Sequence, residues 1–118
     1  YDGLHKLVHL VGPAMASEIM FTARRVEPEE AQRIGLINRV VPIAELESAV
    51  REVADAICRN APLSIAASKH TIGQILTDKE DRDYGKIKQM SQMCFDSNDY
   101  KEGREAFMEK RSPVFMGT

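Results

Sequence analysis

The sequence predicts a mainly α protein with one or two short β-strands. Apolar residues recur at spacings of three and four along most of the 118 residues, which is the period of a helix with one buried face. Proline and glycine interrupt this pattern, and one run at residues 36–41 is rich in β-branched side chains. The length suits one domain, because a single hydrophobic core usually takes about 100 to 200 residues.

The first part of the chain predicts three short helices. Residues 4–11 carry an apolar stripe at i, i+3, i+4 and i+7, and Gly12 ends that helix. Pro13 suits the first turn of a second helix, where its missing N–H leaves no hydrogen bond unmade. A third helix is predicted between Pro28 and Gly35, with glutamates in its first turn that complement the helix dipole.

The run at residues 36–41, closed by Pro42, is the best strand candidate in the chain. A long amphipathic helix should follow it, because the next apolar residues are spaced by four, three and four. These residues are Leu46, Val50, Val53 and Ile57.

The second half predicts three more helices, at residues 62–76, 78–95 and 100–111. Thr77 and Glu80 are three apart and form a capping-box pattern, which places the start of the middle helix directly after Thr77. The tail beyond the last helix shows no regular pattern.

Composition argues against nucleic-acid binding and against membrane insertion. The 16 Lys and Arg against 18 Asp and Glu give a net charge of -2, whereas proteins that bind phosphate backbones usually carry a clear basic excess. The longest stretch with few charges, residues 11–23, contains Glu18 and falls short of the ~20 apolar residues of a membrane span. Cys58 and Cys94 are too few for a disulfide framework, so we expect buried thiols in the cytoplasm or, in a eukaryote, the mitochondrial matrix.

No metal site or catalytic pair can be named from spacing. His5 and His9 have the helical spacing of two ligands, but Lys6 stands where a zinc hydrolase has glutamate, so no metal is expected. The glycine-rich loops that hold nucleotide phosphates are missing from the sequence. His70 has no evident nucleophile partner.

Phe107 and Lys110 are the candidate binding residues. They are three apart on the last predicted helix and so should project from the same side. An aromatic surface beside a cation suits a ligand with an apolar or ring portion and a phosphate. The alternative is a core phenylalanine next to a solvated lysine.

Two stretches resemble the enoyl-CoA hydratase/isomerase (crotonase) family. Residues 21–42, FTARRVEPEEAQRIGLINRVVP, resemble that family's hydrophobic-T-G-R-x-I-x-A-x-E-A-x-x-x-G-L-V-N-x-V-V-P, and residues 102–115, EGREAFMEKRSPVF, resemble its closing EGxxAFxEKRxPxF. Both lie in the family's order and spacing. Residues 2–7 depart from the usual G-G-x-x-R-L, which leaves the exact reaction open, and Ala23 replaces the usual Gly as a tolerated turn substitution.

The resemblance implies that residues 1–118 are the helical C-terminal part of a crotonase-like (ClpP/crotonase) α/β fold, with the N-terminal spiral core absent. It implies a parent enzyme of fatty acid metabolism that acts on acyl-CoA thioesters, most often by hydrating a 2-enoyl-CoA, with no cofactor besides that coenzyme A substrate. The family's two catalytic glutamates and its oxyanion-hole N–H groups would precede Tyr1. We therefore expect no catalytic residue in this chain and no activity from the chain alone.

The resemblance also implies a homo-oligomer, either a trimer or a hexamer. Phe107 and Lys110 fall on family positions that contact CoA, commonly in a neighbouring subunit's site, with the lysine near the nucleotide phosphates. Two alternatives stay open: a non-catalytic helical assembly module, or another crotonase reaction such as isomerisation, dehalogenation or thioester hydrolysis.

Overall fold

Residues 2–118 are described by a computed structural model, and α-helices make up most of their regular structure. Short 3-10 turns precede the third and the fifth helix, at Ile43–Glu45 and Lys79–Asp81. The helices are α1 (Asp2–Thr22), α2 (Pro28–Arg33), α3 (Leu46–Cys58), α4 (Pro62–Ile75), α5 (Tyr84–Asp96) and α6 (Asn98–Glu109). The predicted helices are therefore confirmed, with changes at several ends.

The predicted strand at residues 36–41 is wrong, and the described residues contain no β-strand. The N–H groups of Leu36 and Ile37 both donate to the Ala31 carbonyl, at 2.9 and 3.3 Å. The start of the β-branched run is thus used to close the end of α2, and no partner strand is present within residues 2–118 to pair with the rest. The fold class is corrected to helical for the described part of the chain.

The chain divides into two compact units, Tyr1–Glu47 and Ser48–Thr118. In the first unit, the predicted break between two helices is confirmed within α1. Gly12 has a non-helical φ of 79° and is followed by Pro13, so the two helical stretches meet at a kink.

A guanidinium joins the two helices of the first unit. Arg24 donates to both carboxylate oxygens of Glu30 in α2, at 2.7 and 2.9 Å, and its Nε donates to Glu18 of α1 at 3.0 Å. The hydrogen bonds from Arg24 lower the pKa of Glu30, and those to the two glutamates raise the pKa of Arg24. Ala23, in the turn before Arg24, has a positive φ of 50°, a conformation that glycine adopts more easily than alanine.

Gly35 ends α2 as predicted. Its φ is 80°, and its N–H donates to Gln32 while the Leu36 N–H reaches back to Ala31. This is the hydrogen-bond pattern of a Schellman motif, which provides donors for the free carbonyl groups at a helix end.

In the second unit, α5 packs against both α4 and α6. The capping box predicted at Thr77 and Glu80 is wrong, because the Thr77 hydroxyl donates to the Gln74 carbonyl instead. Asp83 is the cap of α5, and its side chain accepts from the Lys86 N–H at 2.7 Å. The intervening segment is tied to the end of α4 by Arg82, which donates to carbonyls there.

Few side chains of the described residues are buried, and large apolar ones are widely exposed. The clearest case is α3, whose predicted apolar face is confirmed as one side of a helix but is uncovered. We call it the α3 stripe; it consists of Leu46, Val50, Val53 and Ile57. Cys58, at the end of the same helix, is also exposed rather than buried as expected.

Candidate functional site

The candidate site is built around α6. This helix starts at Asn98, two residues earlier than predicted, because Ser97 is its cap and accepts from the Tyr100 N–H at 3.0 Å. The Ser97 hydroxyl in turn donates to the Cys94 carbonyl at 2.6 Å, which joins the end of α5 to the start of α6. At its other end, α6 stops at Glu109.

A mostly apolar groove of about 510 Å³ lies along α6. Its walls come from the first turn of α4, the end of α5, one side of α6 and the tail. The lining residues are Ala61, Ser64, Cys94, Asp99, Tyr100, Gly103, Arg104, Phe107, Met108 and Phe115. Aromatic rings beside one guanidinium could receive a ligand that has a flat or apolar part and a negative charge.

Asp99 fixes the tail that forms one wall of this groove. It is only 4% exposed, and its two carboxylate oxygens accept from the Met116 and Gly117 N–H groups at 2.7 and 2.8 Å. The N–H groups of Asn98 and Asp99 donate back to Thr118, at 2.6 and 3.2 Å. The tail therefore occupies the start of α6, where the free N–H groups of a helix need acceptors.

Phe115 is held in place by this folding back of the tail. Its ring lies 3.5 Å from the point where a side chain on Gly103 would begin, an ordinary van der Waals distance, so the ring packs against α6 at this position. The tail is irregular, as predicted, but it is anchored rather than loose.

Of the two candidate binding residues, Phe107 lines the groove and Lys110 does not. Phe107 lines the groove and is 82% exposed, so it is not a core residue of the described chain. Lys110 is the residue that ends α6, in a left-handed conformation with φ 54° and ψ 38°, and it does not line the groove. The expectation that both residues project from one face of a helix assumed that the helix includes Lys110. That assumption is wrong, because Lys110 lies just beyond the end of α6.

Sequence reasoning missed Arg104 and Asp99. Arg104 is the cation that lines the groove, and it precedes Phe107 by three residues, so the same helical spacing could have found it. Asp99 lies between the predicted helices at residues 78–95 and 100–111, where helical spacing assigns it no role. No sequence pattern indicated that its carboxylate would hold backbone groups 17 and 18 residues away.

A second ionic cluster lies where α6 gives way to the tail. The Arg111 guanidinium donates to both carboxylate oxygens of Glu102, at 2.6 and 2.9 Å, and its Nε donates to Glu109 at 2.6 Å. Glu102 also accepts from the Val114 N–H at 2.8 Å. The hydrogen bonds from Arg111 and Val114 lower the pKa of Glu102 to about 2, so this carboxylate is ionised at neutral pH, and the pKa of Arg111 is raised.

The histidines form no comparable cluster. His5 and His9 are exposed and meet edge to face with ring centroids 4.9 Å apart, and His9 Nδ1 is 2.8 Å from the His5 carbonyl oxygen. Within residues 2–118, no group of three or more His, Cys, Asp or Glu side chains is arranged to hold a metal ion. No helix in the same residues combines the length and apolar character of a bilayer-spanning segment.

A comparison with models of protein families gives a match over nearly the whole chain. Residues 2–118 match the model of the family described as enoyl-CoA hydratase/isomerase. The chain therefore belongs to the enoyl-CoA hydratase/isomerase family.

Individual relatives agree with this membership. The chain is 36% identical to methylmalonyl-CoA decarboxylase of Escherichia coli, over 98% of this chain and 45% of the relative. It is 36% identical to the short-chain-enoyl-CoA hydratase of Clostridium acetobutylicum, over 94% and 42%. An enoyl-CoA hydratase from Mycobacterium marinum superposes with a TM-score of 0.86 at 32% identity, over 98% and 46%. The chain thus spans slightly less than half the length of these relatives.

The comparisons correct the predicted placement in the C-terminal part of the crotonase-like fold. They assign the chain to the N-terminal region of the matched structures. The prediction rested on the resemblance of residues 102–115 to the family's closing segment.

Proposed function

We propose that this chain is the part of an acyl-CoA enzyme that supplies one wall of the coenzyme A site, and that the whole protein hydrates a 2-enoyl-CoA. The observation that carries this proposal is the family match over residues 2–118. The groove beside α6 supports it, because its rings and its guanidinium suit the adenine and phosphates of CoA.

The chain alone is proposed to be inactive. Hydration of an enoyl thioester needs groups that activate water and groups that stabilise the enolate oxygen. Among the groove residues, Asp99 carries a carboxylate, but both of its oxygens already accept backbone N–H groups. A carboxylate used in this way is a structural anchor and is poorly placed to act as a base.

A second reaction within the same family has a specific observation in its favour. A decarboxylase and a hydratase, both named as enzymes of CoA thioesters, are equally similar to this chain at 36% identity. Identity in this segment therefore does not separate hydration from decarboxylation. Assaying the full-length protein with both crotonyl-CoA and methylmalonyl-CoA would decide between them.

Phe107 and Lys110 are proposed to contact the CoA moiety. Phe107 offers an exposed ring in the wall of the groove, and Lys110 offers a compact cation three residues further on. Neither residue needs to touch the reacting carbon for such a role. Their contribution should therefore appear in substrate binding rather than in the chemical step.

Replacing either residue with alanine should raise KM in the full-length protein. We expect Phe107→Ala and Lys110→Ala each to raise the KM for crotonyl-CoA roughly tenfold and to leave kcat within about twofold. The reason is that the lost contact stabilises the bound substrate and the transition state equally. Steady-state kinetics provide the measurement. Lys101→Ala, an exposed lysine on the same helix, is the matched control and should leave KM unchanged. Unchanged KM values for both test variants would exclude this role.

The α3 stripe is proposed to be covered by a second copy of the protein in a homo-oligomer. Its four large apolar side chains are each more than 40% exposed, and they share one side of one helix. An apolar face of this kind is costly to leave in water and is typical of an assembly surface. A non-catalytic assembly module would share this property, so turnover by the full-length protein is what separates it from the enzyme.

A further inference from the structure

Lys110 has a backbone conformation that its own side chain does not favour. Its φ of 54° and ψ of 38° lie in the left-handed region, where residues other than glycine are uncommon. Such a conformation persists when surrounding interactions fix it. The residues on either side of Lys110 supply those interactions.

The neighbours of Lys110 are tied to each other and to α6. Arg111 donates to Glu109 at 2.6 Å and, with two further N–H groups, to both oxygens of Glu102. Glu102 lies two turns earlier on α6 and also accepts from the Val114 N–H, which follows the turn. We name Glu102, Arg111 and their mutual hydrogen bonds the turn clamp.

Backbone hydrogen bonds complete the arrangement. The Arg111 N–H donates to the Ala106 carbonyl at 3.0 Å, and the Lys110 N–H donates to the Phe107 carbonyl at 3.3 Å. Ala106 is 1% exposed, so the turn is closed against a fully packed position of α6. The point from which the Lys110 side chain leaves the backbone is therefore defined.

We infer that Glu102 and Arg111 are positioning residues, which hold the left-handed turn and thereby direct the Lys110 ammonium at the 3′-phosphate of bound CoA. This inference rests on the proposed function of Lys110. A lysine side chain has four rotatable bonds and loses much conformational entropy when it is ordered. A fixed backbone conformation at Lys110 reduces the entropy loss that ligand binding must offset. The two parallel hydrogen bonds from Arg111 to Glu102 are suited to holding the turn, because they fix the orientation of the guanidinium as well as its distance from the carboxylate.

The test uses the full-length protein and two ligands that differ by one phosphate, CoA and 3′-dephospho-CoA. The measured quantity is the ratio of their dissociation constants. We expect the wild type to prefer CoA roughly tenfold, the strength of one charge-assisted contact. Lys110→Ala should bring the ratio close to one, and Phe107→Ala should weaken both ligands equally.

The variant that tests the clamp is Glu102→Gln, which should reduce the preference for CoA about threefold because amide and guanidinium pair poorly. Glu105→Gln is the matched control on the same helix and should leave the ratio unchanged. Arg111→Lys keeps the charge but loses the two-pronged geometry, so it should also reduce the ratio. It provides an independent test if Glu102→Gln fails to fold.

The outcomes separate the inference from the proposed function. If Lys110→Ala removes the preference while Glu102→Gln and Arg111→Lys retain it, the positioning role is wrong and the role of Lys110 stands. If the clamp variants weaken both ligands equally, the clamp is merely structural and the inference is overturned. If Lys110→Ala keeps the full preference, both the contact and the inference are wrong.

Discussion

Replacing Asp99 with alanine in the full-length protein should lower the free energy of unfolding by about 3 kcal/mol, because two charge-assisted hydrogen bonds are lost together. Asp99 is buried, and its oxygens hold the Met116 and Gly117 N–H groups. It also places a negative charge in the first turn of α6, where the helix dipole favours it. Chemical denaturation measures the change.

The same substitution should release the tail. With its anchor removed, the segment after α6 should open more often, and trypsin should cleave after Lys110 or Arg111 faster than in the wild type. Asp96→Ala is the matched control, since Asp96 is exposed and makes a side-chain bond to Gln92 within α5. That variant should lose less than about 0.5 kcal/mol. Equal losses in the two variants would show that Asp99 is not the anchor.

A lysine at Val50 should break the proposed oligomer. Val50 lies in the middle of the α3 stripe and is 60% exposed in the single chain. Burying an unpaired ammonium between subunits would cost several kcal/mol, more than the contact of one valine contributes. We therefore expect Val50→Lys to convert the assembled full-length protein to smaller species, as measured by light scattering after size-exclusion chromatography.

Asp55→Lys is the control for this experiment, because Asp55 lies on the opposite side of α3 and is exposed. It should leave the mass unchanged. If Val50→Lys also keeps the wild-type mass and stability, the stripe is not an interface. A loss of stability without a change of mass would instead indicate that the stripe is covered by other parts of the same protein.

The helices of this chain could be predicted because their signals are local. Gly12 with Pro13, and Gly35, act through backbone conformations that no distant residue has to supply. The strand at residues 36–41 could not be judged in the same way, since a strand needs a partner. The Leu36 and Ile37 N–H groups found acceptors in α2 instead.

The candidate site was predicted only in part, for the same reason. Phe107 and Lys110 were found by spacing, but spacing assumed that the helix continued through Lys110. The helix instead ends in a left-handed turn at Lys110, beside which Arg111 binds Glu102 nine residues away, and periodicity reports neither feature. The tail contacts of Asp99 are longer still and carry no local sequence signal.

We propose that the full-length protein is an enzyme of acyl-CoA thioesters, to which this segment contributes binding but no chemistry. The most direct test is the hydration of crotonyl-CoA, followed by loss of the enoyl absorbance, with the full-length protein and the 118-residue chain side by side. We predict a kcat/KM of about 10⁴ M⁻¹s⁻¹ or more for the full-length protein, within the usual range of enzymes, and no rate above background for the chain alone. A full-length protein that turns over neither crotonyl-CoA nor methylmalonyl-CoA, or an isolated chain as active as the whole, would contradict the account.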